Sequence, residues 1–182
     1  MISVSTKKGD QGQSTLIGSK KIDKDSLVFT VLGDTDELNS WVGLVVSHLD
    51  SKTTKSHLSI KRELLDVQKK LFILSAQIAG SGKVKLTAKD LKKIDLRSKK
   101  IQQSMSKNWH SKFIYPGGCK EAACTDLARA VCRRVERSIV AYNKEYDLPP
   151  LILQYINRLS DYLYLVRCQL NDLMDIDETE FN

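Results

Sequence analysis

Turn-forming residues are scarce in this chain of 182, which has nine glycines and three prolines. A sandwich or barrel of many short strands needs a turn signal about every ten residues, so that class is excluded. The four cysteines (Cys119, Cys124, Cys132, Cys168) form no C-x-x-C pair, and the three histidines (His48, His57, His110) share no ligand spacing. Neither a disulfide framework nor a metal held mainly by protein side chains is expected; the thiols read as reduced and the compartment as cytoplasmic. The apolar run Val42–Val46, with Gly43 counted, falls far short of the ~20 residues of a membrane span. Met1–Asp10 is too polar to supply the apolar core of a signal peptide. Also missing are the G-x-x-x-x-G-K-[ST] phosphate loop and any G-x-G-x-x-G opening a helix.

What remains is a soluble composition, 41% hydrophobic and 28% charged, with a net charge of +7. The charge is uneven: residues 83–112 hold ten Lys/Arg against two Asp, and Asn171–Asn182 holds five acids and no base. Such a surplus suits an anionic partner, but a solvated lysine-rich helix face is the commoner reason for it. Residues 3–31 are irregular and polar, with short extended pieces around Thr15–Ile17. The apolar spacing then predicts a first helix from Asp34 or Thr35, carrying Leu38, Trp41, Val42, Val45, Val46 and Leu49. A second helix is expected over 54–79, and a third from Thr87 to Met105 with Asp90 as its capping acid and a thin apolar stripe. A turn is expected at Pro116-Gly117-Gly118, then helices over 120–142 and 151–174. The fold class is all-α: a five-helix antiparallel bundle in a single domain. It divides into an N-terminal segment (1–31), the helices (34–174) and an acidic tail (175–182).

Chemistry concentrates on the last two helices. Arg129, Arg133 and Arg137 recur every fourth residue, with Arg134 and Glu136 beside them, while Ala128, Val131, Cys132, Val135 and Ile139 face the core. A row of planar guanidinium groups suits bidentate contact with phosphate oxygens, and Glu136 suits orienting them or holding a phosphate-bound Mg²⁺. The same row also describes an exposed face of ordinary Arg–Glu pairs. The fifth helix has a parallel polar seam of Asn157, Ser160, Asp161 and Tyr164. Near the N-terminus, residues 6–15 mix lysines, glycines and hydroxyls in a loop able to wrap an anion with its backbone N–H groups. Spacing alone thus reaches a helical bundle with a polyphosphate site.

Five blocks carry the reading further. T-K-K-G-D-Q-G-Q-S-T-L-I-G, G-D-T-D-E-L-N-S-W-V-G, F-I-Y-P-G-G, A-R-A-V-C-R-R-V-E-R and I-N-R-L-S-D-Y-L, in this order from Thr6 to about Asn171, together resemble the PduO-type ATP:cob(I)alamin adenosyltransferases. The resemblance implies a homotrimer of five-helix bundles with active sites between subunits. It implies transfer of the 5′-deoxyadenosyl group of ATP to the cobalt of cob(I)alamin, with release of triphosphate. The cobalt is itself the nucleophile, which agrees with the lack of a Ser, Cys or His constellation.

By matching position, Thr6, Lys7, Gly9, Asp10, Ser14 and Thr15 form the loop over ATP, and Lys24 reaches the phosphates. Arg133, Arg134, Glu136 and Arg137 grip triphosphate and Mg²⁺, and Asn157 touches the nucleotide. Asp36 and Arg129 match a pair that bridges subunits and shapes the cobalamin site. Phe113 matches an aromatic packed below the corrin that keeps the lower base off cobalt. The chain departs from the family pattern at Cys119, at 77–86 and at Asp126, where members often carry His. Asp126 stands one turn before Arg129 and can compete with Asp36 for its guanidinium.

The resemblance also implies transient contact with a cobalamin reductase and with an adenosylcobalamin-dependent enzyme. A second reading is a module that binds ATP and cobalamin and delivers the product to such an enzyme. A nucleic-acid partner is disfavoured, because the 83–112 lysines have no interleaved aromatics beyond Trp109. No membrane association is expected.

Overall fold

The computed structural model describes residues 5, 7, 9–18, 21–49, 54–105 and 113–181. Among them five helices occur: α1 Leu27–Leu49, α2 Lys55–Ile78, α3 Ala88–Ser104, α4 Lys120–Asn143 and α5 Pro150–Leu173. A small antiparallel hairpin, β1 Gln13–Thr15 and β2 Lys21–Asp23, precedes them. The bundle expected from the spacing is present, with α2, α3, α4 and α5 within a residue or so of their expected bounds.

The start of α1 is a correction: it lies at Leu27, seven residues before Asp34, so the last residues of the 1–31 segment are helical. Its buried residues include Val28, Val31, Thr35, Leu38, Val42, Val45 and Leu49, in alternating steps of three and four, with Asn39 and Val46 beside that line. Thr35 interrupts the apolar spacing, yet its hydroxyl donates to the Val31 carbonyl at 2.7 Å and is thereby satisfied in the core. The β-branched run around Val28 and Val31 and the following Gly33 had concealed this turn.

The same three-and-four spacing recurs on α2 (His57, Ile60, Leu64, Val67, Leu71, Leu74, Ile78) and on α4 (Thr125, Ala128, Cys132, Val135, Ile139, Tyr142). Helices patterned this way pack nearly along one another. In the bundle α1 lies against α2 and α4, α4 also against α5, and α5 also against α3. Buried residues surround α5 on nearly every side, as suits the innermost helix.

The thin stripe of α3 yields two buried residues, Ile94 and Ile101. Charge fastens this helix to α2: Lys70 Nζ lies 2.6 Å from Asp90, Lys93 Nζ 2.9 Å from Asp66, and Arg97 Nη2 3.1 Å from Asp66. At its start the Asp90 carboxylate accepts from the Thr87 backbone N–H (2.9 Å) and hydroxyl (2.7 Å), the reach-back expected of a capping acid.

The Pro116-Gly117-Gly118 turn enters α4 with both glycines at positive φ. At Gly118, where φ is +103°, a Cβ would stand 2.2 Å from Asn171 Oδ1, so a side chain would displace that buried amide. The acidic tail returns to the segment before that turn. The Tyr115 N–H donates to Thr179 O at 2.9 Å, and the Phe181 N–H to Phe113 O at 2.8 Å.

Candidate functional site

The N-terminal loop is closed by its own lysine. Lys24 Nζ donates to the Gly9 carbonyl at 2.7 Å, and the Lys24 N–H to the Gly12 carbonyl at 2.8 Å. Lys7 adopts φ +56° and Gly12 φ +77°, so the chain between them curls back on itself. Lys7, Gly9, Asp10 and Lys24 are brought together in this way, and Ser14 and Thr15 follow on β1; Thr6 lies outside the described residues. Ser14 pairs with Ile22 and Thr15 with Lys21 across the hairpin. Among the described residues no hydrogen bond or ion pair joins this loop to the arginines of α4.

Those arginines diverge. Arg133 is exposed, its carbonyl accepting from Arg137 Nη1 at 3.1 Å, and its guanidinium makes no ion pair among the described residues. Arg134 turns to α1, where it meets Asp34 (Nε–Oδ1 3.2 Å) and the carboxylate of Glu37. Asp34 also takes the Ser138 hydroxyl. Glu136 Oε1 accepts from Asn157 Nδ2 at 3.0 Å, and Asn157 Oδ1 in turn accepts from Arg158 at 3.2 Å. The two polar seams expected on α4 and α5 therefore meet at Glu136 and Asn157.

Asp36 and Arg129 do not meet within the chain. Asp36 is exposed on α1, and Arg129 Nε lies 3.2 Å from Asp126 Oδ1, the competitor one turn away. Beside Arg129 and Arg133 opens a groove of about 750 Å³ between α3, α4 and α5, lined also by Asp95, Arg158, Asp161 and Tyr164. Burial, together with neighbouring Cys168, pushes the Tyr164 phenol up to about 12, so it stays protonated.

Phe113 is 84% exposed although the backbone around it is pinned by the tail, and Tyr115 and Phe181 beside it are 52% and 62% exposed. Tyr115 and Phe181 meet edge to face at 5.9 Å. Together they form an exposed apolar patch.

The four cysteines are free thiols, and burial pushes each of them above its ordinary range. Among the described residues no three His, Cys, Asp or Glu gather to hold a metal ion. No helix among them is long and apolar enough to cross a membrane.

The spacing did not reveal the α1 acids that hold Arg134, the hairpin partner Lys21–Asp23, or a buried network around Arg167. The last did leave a signal: an arginine inside the apolar stripe Leu163, Val166, Leu170 must find partners when buried.

Comparison with known proteins agrees with this architecture. The family model for cobalamin adenosyltransferase matches residues 4–170. A corrinoid adenosyltransferase of Bacillus subtilis is 35% identical over 97% of this chain and 90% of its own length. A cobalamin adenosyltransferase of Cupriavidus metallidurans is 32% identical over 92% and 88%. Among solved structures, a phenylalanine-to-alanine variant of the PduO-type ATP:corrinoid adenosyltransferase from Lactobacillus reuteri, complexed with cobalamin and ATP, is 28% identical. It superposes with a TM-score of 0.89 over 99% of each chain. Five helices in the same arrangement, the ordered motifs and these likenesses lead to one conclusion: the chain belongs to the PduO-type cobalamin adenosyltransferases and is an enzyme of the corrinoid adenosyltransferase class.

Proposed function

We propose that the protein transfers the 5′-deoxyadenosyl group of ATP to the cobalt of cob(I)alamin at sites completed by a neighbouring subunit of a homotrimer. The electron pair of cobalt(I) attacks the ribose 5′-carbon. The cobalt–carbon bond forms as the bond from that carbon to the triphosphate oxygen breaks, and triphosphate leaves with its electrons. Cobalt ends formally as cobalt(III). Because the nucleophile belongs to the substrate, the protein has two tasks: holding the reactants in line and stabilising charge on the leaving triphosphate.

The observation that carries this reading is Phe113. A phenylalanine 84% exposed on a backbone fixed by the tail is poor core filler and a good floor for a flat macrocycle. On this reading it lies below the corrin and keeps the lower ligand off cobalt, which makes reduction of cobalt(II) easier. Lys7, Gly9, Asp10, Ser14, Thr15 and Lys24, with Thr6, wrap the nucleotide. Arg133 and Arg137, open on α4, take the triphosphate, with Arg134 behind them and Asn157 on the nucleotide. Asp36, exposed and in no ion pair among the described residues, reaches Arg129 of a neighbouring subunit.

Glu136 is the one carboxylate of the predicted Mg²⁺ site, with a single oxygen engaged by Asn157. That suits an ion bound chiefly through substrate phosphates and water, since Mg²⁺ is commonly held by one or two carboxylates plus phosphate oxygens. Bound there, the ion would neutralise charge on the phosphates.

The division into an ATP-binding N-terminal segment, a bundle and an acidic tail belongs to the same reading. So do the cytoplasmic setting, suited by free thiols, and passing contact with a reductase and an adenosylcobalamin-dependent enzyme. The test is anaerobic mixing of the protein with Mg-ATP, cobalamin and a strong chemical reductant. Loss of cob(I)alamin, appearance of light-sensitive adenosylcobalamin and release of triphosphate are expected. ATP binding without conversion would overturn the reading in favour of a delivery module.

A further inference from the structure

Arg167 is among the largest fully buried side chains of the described residues, at 1% exposure. Its guanidinium serves three separate pieces of chain. Nε lies 3.0 Å from Asp126 Oδ2 on α4, Nη2 donates to the Tyr115 carbonyl at 3.0 Å, and Nη1 meets the carboxylate of Glu178 in the tail. Asp126 passes the contact on. Its Oδ1 holds Arg129 Nε at 3.2 Å, and its Oδ2 accepts from the Gly117 N–H at 3.3 Å. One turn further along α5, Asn171 completes the set, donating to Gly117 O at 3.1 Å and Glu178 Oε1 at 2.7 Å and accepting from the Cys119 N–H at 2.9 Å.

This arrangement is hard to explain as stabilisation. Taking an arginine and the Asp126 carboxylate out of water is expensive, and apolar side chains in such a place are often as stable or more so. Arg167 follows Leu163 and Val166 and precedes Leu170, all buried, where a leucine would pack without that penalty. What the guanidinium alone supplies is a rigid fork that addresses several acceptors in fixed directions. The groups it addresses are the segment carrying Phe113, the tail that pins that segment, and the carboxylate that orients Arg129.

We infer that Arg167 is a positioning residue that sets Phe113 and Arg129 in one frame, so that the floor of the corrin site and the ion pair at its edge are placed together. The inference rests on the adenosyltransferase reading above. Without the fork, the Tyr115 carbonyl and Glu178 lose their common anchor, and Phe113 no longer keeps a fixed height against α4. Steps that need Phe113 should suffer while the grip on triphosphate does not.

Two variants test this, each assayed from cob(II)alamin with a mild reductant such as dihydroflavin and from cob(I)alamin made beforehand with a strong one. Arg167→Lys keeps the charge and loses the fork. Glu178→Ala removes the tail's share; it lies outside every helix and leaves Asp126 to pair the buried guanidinium, so it disturbs the bundle less than a change at Arg167 itself. For Arg167→Lys the rate from cob(II)alamin should fall about tenfold or more, the scale of a misplaced reacting group, with the rate from cob(I)alamin within about threefold and KM for ATP unchanged. Glu178→Ala should show the same split more weakly, and the double variant should be no worse than Arg167→Lys alone.

Equal losses in the two assays, or no loss, overturn the inference while leaving the reading intact. If Arg167→Lys fails to fold, Glu178→Ala decides alone, and an unchanged ratio between its two rates counts against the inference. A wild-type protein that converts neither form sinks the adenosyltransferase reading and the role of Arg167 with it.

Discussion

Asp126 and Arg129, one turn apart on α4, are joined at 3.2 Å, and the other oxygen of the same carboxylate is held by the buried Arg167. A single aspartate thus stands between an arginine facing the groove and one facing the core. Asp126→Asn would leave Arg167 buried with Glu178 as its one charged partner. Breaking a buried pair from one side is costly, so a loss on the order of 3 kcal/mol in unfolding free energy is expected, read from urea unfolding at neutral pH. An unchanged midpoint would mean that Asp126 is dispensable to Arg167.

Because Asp126 already occupies Arg129, an arriving Asp36 must share the guanidinium rather than find it free. Asp36→Asn is therefore expected to raise KM for cobalamin several-fold, leave KM for ATP unchanged and leave the melting temperature of the chain alone. Steady-state kinetics with each substrate varied in turn separates these. A defect confined to ATP would contradict the assignment.

The Arg133 guanidinium is exposed and makes no ion pair among the described residues, so removing it takes nothing from the fold. If it stabilises the departing triphosphate, Arg133→Ala should lower kcat by about 10²–10³, as loss of one preorganised donor at a developing charge does. A variant that folds normally and turns over at the wild-type rate would exclude that role.

Phe113→Ala exposes the same logic on the apolar side. At 84% exposure the ring contributes little to stability, so the melting temperature should hold. The rate from cob(II)alamin should collapse, while the rate from preformed cob(I)alamin is largely kept. Parallel losses in both assays would remove the role below the corrin.

Helices α2, α4 and α5 were legible because their apolar residues keep to steps of three and four, and α3 because Thr87 and Asp90 mark its start. The front of α1 was not, since Thr35 occupies a core position and hides its polarity in a bond to its own helix. The hairpin escaped because each strand is three residues long with one half-buried member, too short for alternation to register. Among site residues, the arginine row could be read from α4 alone. Its division into an open Arg133 and a tethered Arg134 could not, because Asp34 and Glu37 lie about a hundred residues earlier and approach only through the packing of α1 on α4. The Arg167 network failed to show for the same reason: Asp126 is 41 residues away from it.

The clasp between α2 and α3 should make stability depend on acid in a defined direction. Burial pushes the Asp66 carboxyl up, but a hydrogen bond from Lys93 and the charges of Arg97, Lys93 and Lys70 more than reverse this, and it ends below its ordinary value of 3.8. Asp90 behaves alike: burial raises it, and the bonds from Lys70 and Thr87 bring it below 3.8. A carboxyl whose folded value is depressed binds its proton more readily unfolded than folded. Its stabilising contribution is therefore complete above 3.8 and is lost as pH falls through the folded value. The melting temperature should hold from neutrality down to about pH 5 in this respect and drop as the pH falls below 3.8. The double variant Asp66→Asn, Asp90→Asn should melt lower than the wild type at pH 6, and the gap should narrow as the pH falls below 3.8, because protonation then removes from the wild type the charges that the variant lacks. Two melting curves that stay parallel over that range would show that the ion pairs holding α3 to α2 contribute nothing that titrates.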